Sequence, residues 1–297
     1  MTSKRKRTVA MVLLSVVGGA LGIFVLASAK TNSRPAVLKT RVVVDSSRKE
    51  STGTAERTGG TAVKTTYVHP GRLITPMRWQ LDALGDRLAK PGKERVTLQG
   101  NVTFAGTSQH VPITLVWELP GRLFIALQRG ADQRTLSFDG EKVIGNRQID
   151  SPEKGLLETL FYDSAERFFT SQMGEATSRH LGSNFRTDDG TRADYAGPFY
   201  DIYQLTDPLR TGSEVRPQTK LFLFNSQTKL LEYVRYTMMR DGQAINVEVQ
   251  ITDWRRASDQ QMPRRIKRLE NGSSVFELSI ASVAHGQKLA DGLFGTP

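Results

Sequence analysis

The chain has 297 residues, of which 38% are hydrophobic and 24% are charged, a balance typical of globular rather than disordered proteins. It contains no cysteine, which excludes disulfides, thiolate nucleophiles, Cys-ligated zinc, iron–sulfur clusters and a lipobox cysteine. The formal net charge of +11 favours anionic partners, either nucleic acid or a phospholipid surface.

The N-terminus has the pattern of an export signal. Residues 4–7 are all basic, residues 8–27 are uncharged, and Ala27-Ser28-Ala29 forms an A-x-A cleavage site. The uncharged run is also long enough to span a bilayer. We therefore interpret residues 1–29 as a signal peptide or as an N-terminal transmembrane anchor. Either way the rest of the chain is exported, which argues against nucleic acid as a partner.

Two regions follow the export signal. Residues 30–73 are rich in Ser, Thr, Gly and basic residues and lack apolar periodicity, which predicts a flexible basic linker with a reach of roughly 35 Å. Residues 74–297 are predicted to form one domain. It opens with a helix over about residues 75–90, in which Pro76 suits the first turn after a Thr75 cap and one face is apolar: Met77, Leu81, Leu84 and Leu88.

A first series of strands follows this helix. Alternating apolar residues predict strands in RVTLQGNVTFAG (95–106), HVPITLVWEL (110–119), RLFIALQ (122–128) and RTLSFDGEKVIGN (134–146). Asp139-Gly140 in the last segment is a hairpin signal, because Gly readily takes positive φ and Asp tolerates it. Strands connected by such short turns are expected to pair antiparallel.

The period then changes to that of a helix. SPEKGLLETLFYDSAERFFTSQM (151–173) begins with a Ser-Pro-Glu start signal at Ser151, and its broad apolar stripe predicts one helix over 152–170 that lies across the sheet. After a Gly-, Asp- and Arg-rich connection, strands resume in YDIYQLTD (200–207), TKLFLFNSQTKLLEYVRYTM (219–238), INVEVQITDW (245–254), RRIKRLE (264–270) and SSVFELSIASV (273–283). The predicted fold class is α+β, an open and incomplete antiparallel β-barrel covered by helices.

Enzyme signatures are absent from the sequence. The four histidines are scattered without an H-E-x-x-H motif, and there is no nucleophile elbow, P-loop or dinucleotide fingerprint. Glu158 and Glu166 lie eight residues apart and are interpreted as solvated helix charges. Asp188-Asp189 with Asp194 lacks the ligand spacing of an EF-hand, and we interpret it as a turn. We expect no enzyme activity, no cofactor and no metal.

Four short motifs occur in this order: VWELPGRLFIAL (116–127), LSFDGEKVIGN (136–146), DWRRASDQQMPRRIKR (253–268) and KLADGLFGTP (288–297). Together they resemble the bacterial lipoprotein-localisation (outer-membrane lipoprotein carrier/sorting protein) superfamily, and the resemblance spans about residues 75–297. It implies an unclosed barrel whose concave apolar side is covered by helices and holds acyl chains or another lipid. It also implies a periplasmic location, or anchoring in the inner membrane with the domain facing the periplasm.

The resemblance directs attention to one apolar face as a ligand-binding cavity. The candidate lining residues are Leu115, Trp117, Leu119, Leu123, Ile125, Leu160, Phe161 and Leu278. The same residues would form the same pattern if they packed permanently under the helices, so core and cavity both stay open. Carriers of this superfamily place an arginine inside the barrel to hold the covering helix, and Arg122 is nearest to the matching motif.

Basic residues also cluster near the turn between two late strands, at Arg255-Arg256, Arg264-Arg265 and Lys267-Arg268. Such a patch suits an anionic membrane surface, or it is a set of edge-strand charges that prevents aggregation. The sequence favours an envelope protein that binds a lipid or lipoprotein acyl chain. The alternative is a membrane-anchored sensor or interaction module that uses the same fold to bind an envelope protein.

Overall fold

The computed structural model of the protein describes residues 70–85, 88, 95–118, 121–138, 143–172, 176–187, 195–211 and 214–286. These residues belong to one compact unit, Ala62–Pro297. The predicted export signal, most of the predicted linker, the Asp139-Gly140 turn, the acidic turn at 188–194 and the closing KLADGLFGTP motif lie outside the described residues.

The described residues form a 3-10 turn, three α-helices and twelve strands. The turn is Pro70–Arg72, and the helices are α1 (Thr75–Ala83), α2 (Ser151–Tyr162) and α3 (Ala165–Ser171). The strands are β1 (Arg95–Phe104), β2 (Val111–Glu118), β3 (Arg122–Arg129), β4 (Asp132–Phe138), β5 (Val143–Gly145), β6 (Thr177–Phe185), β7 (Tyr200–Thr211), β8 (Glu214–Asn225), β9 (Leu231–Arg240), β10 (Gln243–Ala257), β11 (Gln260–Glu270) and β12 (Ser273–His285).

These strands form one antiparallel sheet in the order β5-β4-β3-β2-β1-β12-β11-β10-β9-β8-β7-β6. Within β1–β5 and within β6–β12 each strand therefore lies beside its neighbour in the chain, whereas β5 and β6 form the two edges of the sheet, and the two predicted meanders are confirmed. The single long-range pairing joins β1 to β12, with Val102 opposite Leu278 and Phe104 opposite Phe276. This pairing makes one continuous inner face out of two meanders that are separated in sequence by the helices.

The alternation seen in the sequence sets which side chains face inward. In β2, Ile113, Leu115 and Trp117 point to the core, and β3 places Ile125 opposite Leu115 and Leu123 opposite Trp117. Because side chains alternate across a strand, a shift of one residue would send this whole set to the solvent face. Burial of the apolar face therefore fixes the register of the first meander.

Helix α1 is shorter than the predicted span of 75–90. It ends at Ala83, and Gly85 follows with φ of +85°. A Cβ atom at Gly85 would lie 2.3 Å from the carbonyl oxygen of Asp259, and Gln261 N donates a hydrogen bond to Leu84 O. The chain therefore leaves the helix where it meets the β10–β11 turn, a tertiary contact that the apolar period could not reveal.

The single helix predicted over 152–170 is two helices. Asp163 and Ser164 interrupt it, and the Ser164 hydroxyl caps α3 by accepting a hydrogen bond from Arg167 N. Helix α2 starts at Ser151, as the sequence signal predicts, and its N-cap is the preceding Asp150, which forms a capping box with Glu153. We call residues 151–171 the helical cover.

Strand β6 lies in a segment that the sequence analysis treated as an irregular connection. Its side chains are mostly exposed, and its pairing with β7 is interrupted near Gly182. Gly182 and Asn184 both adopt positive φ. An edge strand with bulges carries little apolar alternation, which explains why the pattern was missed.

The close pairing of β1 with β12 requires a glycine at position 100. A Cβ atom there would lie 2.0 Å from Ser279 O, beside a register shift between Gln99 and Gly100. We expect Gly100→Ala to lower the free energy of unfolding by about 1–3 kcal/mol, measured by urea denaturation. Gly121→Ala is the matched control, because a Cβ atom at Gly121 has no atom within 4 Å. Equal midpoints for the two variants would contradict this account of the β1–β12 contact.

Candidate functional site

The predicted cavity residues come together where the helical cover, which contains Leu160 and Phe161, meets the sheet. Seven of the eight lie among the described residues, and each is at most 5% exposed within one hydrophobic cluster: Leu115, Trp117, Leu123, Ile125, Leu160, Phe161 and Leu278. The eighth, Leu119, lies outside the described residues. Residues from β2, β3 and β12 thus contribute to one apolar wall, and α2 packs on its β11 and β12 part.

Aromatic rings seat both helices of the cover on the sheet. The ring of Phe161 in α2 meets Phe138 of β4 edge-on, with centroids 4.4 Å apart. Phe168 in α3 contacts Phe222 and Phe224 of β8, each with centroids 5.1 Å apart. The Phe138–Phe161 pair is edge-to-face, a geometry favourable beyond simple area burial, and the two Phe168 contacts are tilted, so the cover fits closely in the position observed.

A buried arginine lies at the centre of the contact between the cover and the sheet. Arg268 of β11 is 0% exposed. Its Nη1 donates to Thr159 Oγ1 at 3.1 Å and to Gly155 O at 3.4 Å, both on α2. Its Nε donates to Glu270 Oε1 at 3.0 Å. One guanidinium thus connects a strand of the second meander to the middle of the helical cover.

The break between α2 and α3 carries the matching negative charge. The carboxylate of Asp163 accepts hydrogen bonds from Lys220 Nζ at 2.5 Å and from Tyr236 Oη at 3.0 Å, and it lies 3.9 Å from Arg268 Nη1. Lys220, Tyr236 and Arg268 come from β8, β9 and β11. Three strands therefore converge on the residue that interrupts the cover, and we call Asp163, Lys220, Tyr236 and Arg268 the ionic cluster.

Further ion pairs hold the two ends of the cover. At the start of α2, Glu153 lies 2.9 Å from Arg134 Nη1 of β4. In α3, Arg167 Nε donates to Asp207 of β7 at 2.9 Å. The cover is thus bound to both meanders, which places it across the opening between edge strands β5 and β6.

The pKa values of two glutamates beside Arg268 are shifted in opposite directions. Burial raises the pKa of Glu158 above its ordinary value of 4.5, although the nearby Arg268 charge opposes this shift. Burial also acts to raise the pKa of Glu270, but hydrogen bonds from Arg240 together with the charge of Arg268 outweigh it and hold that pKa below 4.5. Burial also raises the pKa of Tyr236 well above 10, so its hydroxyl stays protonated as a donor to Asp163.

Three sequence interpretations of charged residues need correction. Arg268, which the sequence groups with the basic surface patch, is buried and donates to α2, whereas Arg122, the arginine nearest to the matching motif, lies opposite Glu118 at the start of β3. Glu166 is 3% exposed and is not a solvated helix charge, whereas Glu158 is 30% exposed and lies 3.6 Å from the buried Arg268, so it is only partly solvated. The alternation along β11 could have indicated the burial of Arg268, because Arg268 lies two residues after Ile266 and shares its inward face.

The ionic cluster determines the position of the helical cover more than it contributes to the free energy of folding. Buried ion pairs gain little net free energy because both partners lose hydration, whereas an apolar filling of the same shape is often as stable. Directional hydrogen bonds to Gly155 and Thr159 instead define one place for the cover on the sheet. The ionic cluster is thus a group of polar contacts surrounded by apolar residues in the interface between the cover and the sheet.

Within the described residues, no cluster of three or more potential metal-binding side chains is present. The same part of the chain holds no helix that is both long and apolar enough to cross a membrane.

Comparisons with known proteins bear on the fold. No family model matches this chain, and no curated protein matches it in sequence. Among solved structures, it is similar to a LolA superfamily protein from Nitrosomonas europaea, with a TM-score of 0.47 and 11% identity over 73% of this chain and 96% of that one.

Two further solved structures are similar to the chain. One is an outer membrane lipoprotein-sorting protein domain from Vibrio parahaemolyticus, with a TM-score of 0.44 and 10% identity over 72% of this chain and 95% of that one. The other is a DUF1329 family protein from Desulfovibrio piger, with a TM-score of 0.44 and 10% identity over 74% of this chain and 98% of that one. At these identities the likeness concerns the fold alone.

The opposite pKa shifts of Glu158 and Glu270 predict opposite pH dependences. Folding raises the pKa of Glu158, so the wild type loses stability as the pH rises from 4.5 through that raised pKa. Glu158→Gln removes this loss and is expected to gain stability relative to the wild type over that range. Glu270→Gln should instead be less stable than the wild type at neutral pH and approach it as the pH falls below 4.5.

Urea denaturation of both variants and the wild type between pH 4 and pH 8 measures these differences. Each substitution removes one carboxylate beside the same guanidinium, so the pair controls for the change in net charge. Differences of the same sign and pH dependence for both variants would contradict the account.

Proposed function

We propose that this protein is exported and binds the acyl chain of a lipid or lipoprotein, or another hydrophobic ligand, between the sheet and the helical cover. The observation that carries the proposal is the ionic cluster, which fastens the cover to a wall that is otherwise apolar. A permanent core has no need of such charges, because apolar residues of similar shape fill an interior at least as well.

The cluster also lowers the cost of moving the cover away. When the cover leaves the sheet, Arg268, Asp163 and Lys220 regain water, which compensates for the contacts that they lose. Apolar side chains such as Leu115 and Ile125 gain nothing from water and need a replacement surface. A hydrophobic ligand supplies that surface, so exchange of the cover for a ligand is favoured over simple opening.

Burial of an acyl chain would contribute enough free energy for binding. About ten buried methylenes, at about 0.8 kcal/mol each, contribute roughly 8 kcal/mol. That free energy corresponds to about micromolar affinity when the cost of opening is small. The basic N-terminal residues 4–7 and the uncharged run 8–27 support export and agree with a role at the cell envelope.

The hydrogen bond between Arg268 and Thr159 offers a direct test. Thr159→Val keeps the shape of a 2% exposed side chain but removes the acceptor for Arg268 Nη1. A hydrogen bond to a charged group is worth about 1.5–3 kcal/mol. If the cover must move for binding, the variant is expected to bind a fluorescent fatty acid about tenfold more tightly than the wild type. The measurement is a fluorescence titration of the unit Ala62–Pro297.

Thr206→Val is the matched control for this titration. Thr206 Oγ1 pairs with Thr219 Oγ1 at 3.0 Å on exposed parts of β7 and β8, away from the cover. Its removal should leave probe affinity unchanged. No probe binding by the wild type or by Thr159→Val would mean that the cover fills the barrel permanently. That result would favour the interaction-module alternative.

A further inference from the structure

One end of the sheet is crossed by α1. The side chain of Gln80 donates to Asp201 Oδ2 at the start of β7, and the carbonyl of Leu84 accepts from Gln261 N beside the β10–β11 turn. Helix α1 thus runs between the β7 side and the β10–β11 side of the molecule. We call this the α1 end, and it also contains the β8–β9 turn (residues 226–230).

Large apolar side chains are exposed at the α1 end. Ile74 is 51% exposed, Trp79 is 53% exposed and Phe199 is 42% exposed. Asp201 connects the segments that carry Trp79 and Phe199. It accepts hydrogen bonds from Gln80, which follows Trp79, and from Ser226, whose backbone N–H donates to Phe199 O. An exposed Trp with aliphatic and aromatic neighbours is typical of side chains that sit at a membrane–water interface.

Cations accompany these apolar residues. Lys229 Nζ lies 5.7 Å from the ring centre of Trp79 and 2.8 Å from Asp201 Oδ2, and Arg78 is exposed on α1 beside Trp79. Asp82 is the exposed acidic residue of the same helix. A cation close to an interfacial aromatic ring suits a surface that offers both apolar and negatively charged groups.

A polar pocket of about 250 Å³ lies on the outer wall near the same end. Its lining includes Arg255, Arg264 and Arg265 together with Asp253. Arg255 forms two hydrogen bonds to Asp253, whereas Arg264 Nη1 donates to the uncharged carbonyl of Ala281. Arg265 Nε lies 3.4 Å from Glu277, so three guanidiniums face the two carboxylates of Asp253 and Glu277. The remaining net positive charge of this wall favours an anionic headgroup.

The segment that precedes Pro70 in the sequence indicates which partner covers the α1 end. The described chain begins at the α1 end, with the turn Pro70–Arg72 leading into α1. The residues that precede it include the uncharged run 8–27, the one part of the sequence long and apolar enough to cross a bilayer. A chain held in a bilayer by that run would present its α1 end at a high effective concentration to the same bilayer.

We propose that the α1 end docks on the surface of a bilayer that contains anionic phospholipids. Trp79, Ile74 and Phe199 enter the interfacial layer, while Arg78, Lys229 and the arginines of the pocket contact the headgroups. The cover then lies along the side of a barrel that stands on the membrane. This docking does not depend on whether the barrel holds an acyl chain.

Site-specific fluorescence in the full chain tests the docking. Because the chain has no cysteine, Ile74→Cys gives a unique attachment site for a fluorophore, and Ile74 makes no side-chain cap hydrogen bond that labelling would break. Met239→Cys is the control, since Met239 is 64% exposed and lies near the opposite end of β9, about 26 Å from Leu231 along the strand. The full chain is reconstituted in vesicles of phosphatidylcholine with phosphatidylglycerol and spin-labelled lipid.

The expected result is strong quenching of the label at position 74 and little at position 239, with the difference reduced in vesicles of phosphatidylcholine alone. Trp79→Gln should weaken the quenching at position 74. Arg78→Gln should lower the ratio of docked to undocked protein about fivefold. Arg147→Gln, which removes an equal charge from the exposed pair with Asp132 at the opposite end, should leave it unchanged.

Equal quenching at both positions, or quenching that is unaffected by removal of the anionic lipid, would overturn the proposal. Absence of quenching at position 74, together with a fluorescence change there on addition of an envelope protein fraction, would assign the surface to a protein partner and would also overturn it. The readout is independent of probe binding beneath the cover, so failure of docking leaves the acyl-binding test intact.

Discussion

Burial of the Arg268 guanidinium beneath α2 is the constraint on which the rest of this molecule depends. A charged group that is 0% exposed must find partners for its donors, because water cannot reach it. Gly155 and Thr159 on α2, Glu270 on its own strand and the nearby Asp163 supply them. The helical cover therefore has one favourable position, and the break between its helices falls where Asp163 is needed.

The sheet topology makes this contact possible. Pairing of β1 with β12 joins two meanders into one inner face, so that residues of β2 and β3 share a wall with those of β11 and β12. The cover is the chain segment between those meanders. Its Glu153 contacts Arg134 of the first meander, and its Arg167 contacts Asp207 of the second. The cover is thus held at both ends and in the middle by charged contacts, and the proposed ligand would have to displace it.

The two proposals divide the surface of the molecule between two kinds of lipid contact. Beneath the cover, an apolar wall suits an acyl chain and excludes water. At the α1 end, exposed Trp79 and its neighbouring cations suit the interfacial layer and the headgroups. The hydrophobic effect acts at both surfaces. The ionic cluster holds the cover over the apolar wall, whereas the α1 end is exposed to solvent.

The sequence by itself determined the alternation of β2 and β3, the helical period of residues 151–171 and the order of the meanders, because these follow from local periodicity and turn chemistry. It placed Leu115, Trp117, Leu123 and Ile125 on one face. Only the tertiary structure decided that α1 stops at its contact with Asp259, that an edge strand occupies Thr177–Phe185, and that Arg268 is buried beneath the cover. The physical reason is that a charge is solvated or buried according to what packs over it, and residues more than a hundred positions away in the sequence supply that cover.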